Sequence, residues 1–289
     1  MSQSKWVPLE ASPDVFNDWS RALGLPNSPL SFQDLFSLDE EFLSFVPQPV
    51  KAVLLLFPSR GELAAAREKE ESDGEGKWDG KDVWWIKQTI PNACGSIGLL
   101  HALLNLPEGA LTPGSQLLKF KAATEALGRG YRLYRSGKAG AIAARLAHLR
   151  ARALRSLYRL YLALDNPAHY QAMKHYEDRR RSRRALDRAK LLDEADFFES
   201  AHTAAAQAGQ SAVPDDLDVD THFIAFVQAR NAKGELRVVE LDGGREGPFD
   251  RGPSKDLLRD VAKIVQDKYI ARAAGDINFN MIVLAGEEE

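Results

Sequence analysis

Cysteine occurs once in these 289 residues, and methionine three times. A single thiol excludes an internal disulfide, and without a second Cys or a His-x-x-His-like cluster a structural zinc site is not expected. No run of about 18 apolar residues is present, the length a membrane-spanning helix requires. The opening decapeptide MSQSKWVPLE also lacks the charged, then apolar, then small-residue order of a secretory signal. The chain is therefore expected to be a soluble cytoplasmic protein, with the nucleus also open to it, that needs no cofactor and no metal.

What is present suffices for a sizeable core. Hydrophobic residues make up 44% and charged ones 27%, and the length fits one large domain or two small ones. The net charge of −3 hides a seam. Residues 128–184 hold 15 Lys and Arg against 3 Asp and Glu, which leaves 23 basic and 38 acidic residues for the rest. Six of the seven tyrosines lie in that basic segment, while every Phe and Trp lies outside it. The two regimes imply different partners, a basic one for the acidic body and an acidic one for the segment.

Along the chain, Val15, Trp19 and Leu23 are spaced four apart and stop at Gly24, a helix pattern. Residues 50–57 form an apolar run closed by Pro58 and read as a buried strand, and 83–86 as a further strand. Cys94 to Asn105 reads as a helix, as does 114–127. Residues 139–164 place leucines at three- and four-residue intervals between arginines, an amphipathic helix. Residues 200–219, rich in Ala, Gly, Ser and Pro without periodicity, read as a long loop, and such loops tend to be functional. Then come two β-rich runs, 222–228 and 236–242, joined by turn-forming residues, a helix over 254–274 and a last strand over 277–284.

The lone thiol stands where a Pro-containing extended stretch enters an apolar helix. Unpaired N–H groups and a partial positive charge there favour the thiolate, the nucleophilic form. If the hairpin turn centres near Ala232, His222 and Asp242 fall opposite each other at its open end, about 5 Å apart at Cβ. An Asp within reach of an imidazole fixes its tautomer and leaves the other ring nitrogen for a thiol. Cys94, His222 and Asp242 then have the makings of nucleophile, base and orienter. Gln88, six residues before the thiol, can aim its NH₂ at an oxyanion alongside the Cys94 N–H. His101 reads as a core histidine, because it lies two helical turns from Cys94. His202 reads as a solvated loop histidine, and His148, His169 and His175 have no acidic partners at useful spacing.

With these residues assembled, the chain resembles the ubiquitin C-terminal hydrolases, the papain-like family of cysteine deubiquitinases, and most of all its small single-domain members. The resemblance is carried by Trp6-Val-Pro-Leu-Glu-Ala-Ser-Pro13, Val53-Leu-Leu-Leu-Phe-Pro58, the specific string Gln88-Thr-Ile-x-Asn-Ala-Cys94-Gly-Ser-Ile-Gly-Leu-Leu-His101, Asp220-Thr-His222, Glu240-Leu-Asp242-Gly and Phe279-Asn-x-Ile-x-Leu284. It implies an α/β fold of the α+β papain-like kind, with a central, largely antiparallel sheet flanked by helices, a knotted backbone and a single catalytic domain over 1–289. It gives Cys94, His222, Asp242 and Gln88 the catalytic roles.

The partner implied is ubiquitin, touched at Pro8, Leu9, Glu10, Ala11, Ser12 and Pro13, at Gly209, Gln210, Ser211, Ala212, Val213 and Pro214, and at Asp276, Ile277, Asn278, Phe279, Asn280, Met281, Ile282, Val283 and Leu284. Residues 200–219 would cross the active site and limit the leaving group. The implied reaction is cleavage of small adducts or peptides from the C-terminal Gly of ubiquitin through a thioester. Hydrolysis of a ubiquitin-like tail and non-catalytic ubiquitin binding are the alternatives. A monomer is expected, with no membrane or nucleic-acid partner. Residues 128–184 depart from the family pattern as a basic helical insertion. Three readings fit it: an appendage for an acidic partner, a neutral surface insertion, or translated intron sequence.

Overall fold

A computed structural model of the chain describes residues 6–74, 76–80, 83–130, 188–192, 195–210, 217 and 219–286. Its frame is a six-stranded sheet of β1 (Ser31–Asp34), β2 (Val50–Pro58), β3 (Thr221–Arg230), β4 (Leu236–Leu241), β5 (Phe249–Pro253) and β6 (Asn280–Ala285). The spatial order is β1-β6-β2-β3-β4-β5, and every neighbouring pair is antiparallel. The helices are α1 (Pro13–Leu23), α2 (Glu40–Ser44), α3 (Gly61–Asp73), α4 (Cys94–Leu104), α5 (Gln116–Gly130), α6 (Asp196–Ala208) and α7 (Leu257–Ile264). A π-helical turn, Val265–Tyr269, and a 3-10 turn, Ile270–Arg272, extend α7.

The apolar run of β2 does not alternate because both its faces are covered. Ala52 and Leu54 enter one core with Phe223 and Ala225 of β3, Trp19 of α1, Leu100 of α4 and Phe198 of α6. Val53, Leu55 and Phe57 point the other way, into a second core with Ile224, Phe226, Leu258, Val261 and Tyr269. All eleven residues of α4 are buried, so the helix that opens on Cys94 runs through the interior.

Two expectations are corrected here. Residues 83–86 are not a strand, because side chains take up their backbone groups. Asn105 receives the Trp84 N–H at 2.7 Å and donates to its carbonyl at 2.8 Å, Arg188 donates to the Trp85 carbonyl, and His101 Nε2 lies 3.2 Å from the N–H of Ile86. The stretch expected as a loop over 200–219 is helical through Ala208. Its run of alanines, the best helix formers, continues the turn begun at Asp196, and Phe198, His202 and Ala205 supply a buried stripe at helical spacing. Of the basic segment 128–184, the part beyond Gly130 lies outside the described residues.

Candidate active site

Cys94 is the first residue of α4. The turn before it passes through Asn92 at φ 63°, a left-handed conformation that Asn tolerates better than most residues. The Asn92 side chain donates to the carbonyls of Trp6, at 3.0 Å, and Leu217, at 2.8 Å. One residue thereby ties the N-terminal segment and the approach to β3 to the turn that presents the thiol.

His222 and Asp242 come from the hairpin, but in a different register from the one expected. The ladder pairs Ala225 with Leu241 and Arg230 with Leu236, so the turn centres on Lys233, with Gly234 supplying φ 84°. This shifts the partner of each residue by two. A shift of two preserves the face, and a diagonal neighbour is still within reach of a long side chain. His222 Nε2 therefore meets Asp242 Oδ1 at 2.6 Å, which leaves the other ring nitrogen for the hydrogen bond between His222 and the Cys94 thiol.

The electrostatics follow from these contacts. Burial opposes ionisation of the thiol, but the hydrogen bond and charge of His222 and the Phe223 and Gly95 backbone groups outweigh it, and Cys94 falls below the ordinary thiol range. Burial likewise disfavours the imidazolium, yet the charge and hydrogen bond of Asp242, with those of Cys94, push His222 up to about 10. Asp242 is held well below the usual carboxylate range: against the cost of burial stand His222, Arg67 and the Gly244 N–H, which donates to Oδ1 at 2.6 Å. All three shifts favour a thiolate–imidazolium pair backed by an ionised carboxylate.

Gln88 is seated between these elements. Its backbone N–H donates to the Gly243 carbonyl at 2.9 Å and its Nε2 to the Ile90 carbonyl at 3.1 Å. Trp85 Nε1 donates to the Asp242 carbonyl at 2.9 Å, and Lys87 Nζ reaches the Gly244 and Arg245 carbonyls. The segment entering the thiol turn is thus stapled to the loop that follows Asp242. Gly243 permits the approach: a Cβ there would sit 2.8 Å from Ile97 Cγ2 and 2.9 Å from Gln88 Cβ.

The ubiquitin carboxyl-terminal hydrolase, family 1, profile matches residues 6–153 and 161–270. The chain belongs to that family. It is 32% identical over 287 residues to ubiquitin carboxyl-terminal hydrolase 3 of Arabidopsis thaliana, covering 98% of this chain and 95% of the relative. It is 29% identical over 280 residues to the human isozyme L1, with 96% of each chain covered. The catalytic domain of Trichinella spiralis UCH37, solved bound to ubiquitin vinyl methyl ester, shares the fold at TM-score 0.61 and 18% identity, over 98% of this chain and 97% of that one.

The surfaces implied for a partner of such a hydrolase divide in this chain. The Pro8–Pro13 segment lies beside α4 and the end of α6. Leu9 is buried against Gly95, where a Cβ would come within 3.1 Å of it, and a Cβ at Gly209 would come 2.7 Å from Glu10 Oε2. Gln210 is exposed, while Ser211, Ala212, Val213 and Pro214 lie outside the described residues. Ile277 stands 89% exposed just before β6, but Met281, Ile282, Val283 and Leu284 are buried, since β6 lies between β1 and β2 with a core on each face. Of the stretch from Asp276 to Leu284, the accessible side chains are therefore those of Asp276 through Asn280.

Sequence reasoning left three residues unplaced or misplaced. His202, expected in solvent, is buried: Nδ1 lies 2.9 Å from Ser96 Oγ, Nε2 lies 2.7 Å from the Val7 carbonyl, and burial lowers its pKa to about 4. The helical pattern over 196–208 is the signal for that burial. Arg67 donates to Asp242 Oδ2, and Glu240 sits beneath it, fully buried. Leu63 and Arg67, four apart, place both on the inner stripe of α3. His101 is the core histidine expected, lowered to about 4 by burial. Among the described residues no cluster of three His, Cys, Asp or Glu side chains is arranged to hold a metal, and no helix is long and apolar enough to cross a membrane.

Proposed function

We propose that this chain is a thiol-dependent ubiquitin C-terminal hydrolase that cleaves small adducts or peptides from the C-terminal Gly of ubiquitin. The carrying observation is the relay from the Cys94 thiol through His222 to Asp242, present in a chain of this family. The Cys94 thiolate attacks the carbonyl carbon, and the resulting oxyanion is stabilised by the Cys94 N–H and the Gln88 amide. His222, as imidazolium, protonates the leaving amine. It then removes a proton from water, which opens the thioester and frees ubiquitin and the thiol. Asp242 keeps the imidazole oriented and supports its charged form throughout.

Ubiquitin docks on Pro8–Pro13, on the segment from Gly209 to Pro214 and on the stretch from Asp276 to Leu284, where the accessible side chains run from Asp276 to Asn280. The acidic body, which has 38 Asp and Glu against 23 Lys and Arg outside 128–184, suits a basic partner surface. Treatment with ubiquitin vinyl methyl ester tests the reading. A covalent adduct that disappears in Cys94→Ser is expected, whereas ubiquitin binding without any adduct on the native chain overturns hydrolysis and leaves a binding module.

A further inference from the structure

Behind the His222–Asp242 pair lies a buried ionic cluster that the proposed reaction does not itself use. Asp242 has two carboxylate oxygens. Oδ1 accepts from His222 and from the Gly244 N–H, and Oδ2 accepts from Arg67 Nη2. The other end of the Arg67 fork, Nη1, donates to Tyr269 Oη at 2.6 Å and to Glu240 Oε1 at 3.2 Å. Glu240 is 0% exposed and also accepts from Arg245 Nε at 3.0 Å, Arg251 Nε at 2.5 Å and Tyr269 Oη at 2.7 Å. The Arg67 guanidinium lies over the rings of Phe57, at 4.8 Å, and Tyr269, at 5.4 Å, and the Phe57 ring and the His222 imidazole meet in a T-shaped contact.

A cluster of this kind is a poor device for stability. Desolvating charges costs about as much as their pairing returns, and well-packed apolar residues of the same volume often do better. It does fix geometry. A carboxylate held at one oxygen can rotate, whereas one held at both by donors from α3 and from its own loop cannot. Arg67 suits the task because its planar fork spans two acceptors, which an ammonium cannot do.

We propose that Arg67 is a positioning residue that acts through the second oxygen of Asp242, and that Glu240 holds Arg67 in place. The inference rests on the hydrolase reading above. The charged and titratable groups facing Arg67 are Glu240 of β4, Asp242 in the loop that follows it, Arg251 of β5 and Tyr269, with His222 behind Asp242; Arg245, which donates to the Arg67 carbonyl, carries Glu70 and Glu71 of α3 as its own partners. Loss of its charge leaves two buried carboxylates short of a cation, so Asp242 takes up a proton at higher pH and ceases to support the imidazolium. Loss of its fork alone leaves Asp242 charged but free to turn.

Arg67→Met and Arg67→Lys separate these effects, with Glu240→Gln as a third variant. In hydrolysis of a ubiquitin C-terminal amide, kcat is expected to fall about 10-fold for Arg67→Lys and Glu240→Gln and about 100-fold for Arg67→Met, with KM within about twofold. Alkylation of Cys94 by iodoacetamide, followed against pH without ubiquitin, should shift toward the ordinary thiol range by about one pH unit in Arg67→Met and stay in place in Arg67→Lys. If Arg67→Met does not fold, Arg67→Lys and Glu240→Gln decide the matter. Folded variants with native kcat, or with the whole loss in KM, overturn the proposal. An ordinary-thiol alkylation curve in the native chain instead overturns the triad reading.

Discussion

His222 and Asp242 are joined by a 2.6 Å hydrogen bond although neither is the other's ladder partner: the last pair before the site is Ala225 with Leu241. The contact is diagonal and spans the open end of the hairpin, where the strands no longer constrain one another. It is secured instead by the loop after β4, through the Gly244 N–H on the same oxygen and Arg67 on the other. Its strength as an orienting device therefore depends on residues outside both strands.

Asp242→Asn keeps the shape but removes the charge and reverses the hydrogen-bond demand on the imidazole. A fall in kcat of about 10⁴-fold is expected, the magnitude seen when a triad Asp is made an amide. Steady-state hydrolysis of a ubiquitin amide checks it; a loss under tenfold would show that Asp242 does not orient the base.

The pairing of a lowered thiol with a raised imidazole sets the direction of the pH dependence. Cys94 should react with iodoacetamide well below the ordinary thiol pKa of about 8.5, and the rate should collapse when His222 is replaced by Ala. Reactivity that rises only above about pH 8 contradicts the ion pair.

His101 and His202 are both buried with pKa values of about 4, below the unfolded value near 6.5. The unfolded chain binds more protons through this window, so their contribution to stability is complete above about pH 6.5 and is lost as pH falls towards 4, by about 1.4 kcal/mol per unit for each group. Urea unfolding at pH 7 and pH 5 measures the loss, and His202→Gln should flatten the pH dependence.

Gly243→Ala places a methyl 2.8 Å from Ile97 Cγ2 and 2.9 Å from Gln88 Cβ, closer than real side chains come. The segment bearing Gln88 has to move. We expect kcat to fall by about 10² as the amide donor leaves its place, with KM changed less. Native kinetics in this variant would remove Gln88 from the oxyanion site.

Phe226→Ala opens a hole in the core opposite the thiol, where Phe226 packs against Tyr269 with ring centroids 6.2 Å apart. A loss of about 3–5 kcal/mol is expected in urea unfolding, as for other buried Phe truncations.

Local chemistry was legible wherever one element carried it. The apolar runs of β2 and α4 show their burial directly, because a segment hydrophobic on every side has no solvent face. The start of α4 at Cys94 follows from a Pro-containing approach and a long apolar continuation. The hairpin turn was legible to within one residue, and its error did no harm, because it shifted the pairing by two and kept His222 and Asp242 on one face. The 83–86 segment has strand-like residues, yet Asn105, His101 and Arg188 capture its backbone, and all three are distant in sequence.

Side-chain type, periodicity and the order of motifs thus determined by themselves the family, and singled out Cys94, His222, Asp242 and Gln88 as the candidates for its chemistry. Tertiary structure alone decided how the site is held. Arg67 lies 175 residues from Asp242 in sequence, and His202 lies 106 residues from Ser96. Whether a charged side chain is solvated or locked between two carboxylates depends on what packs against it, which no local pattern records. The same reason hid the burial of His202 and the coverage of Met281 to Leu284: exposure is a property of neighbours, and those neighbours are assembled only when the sheet closes between its two cores.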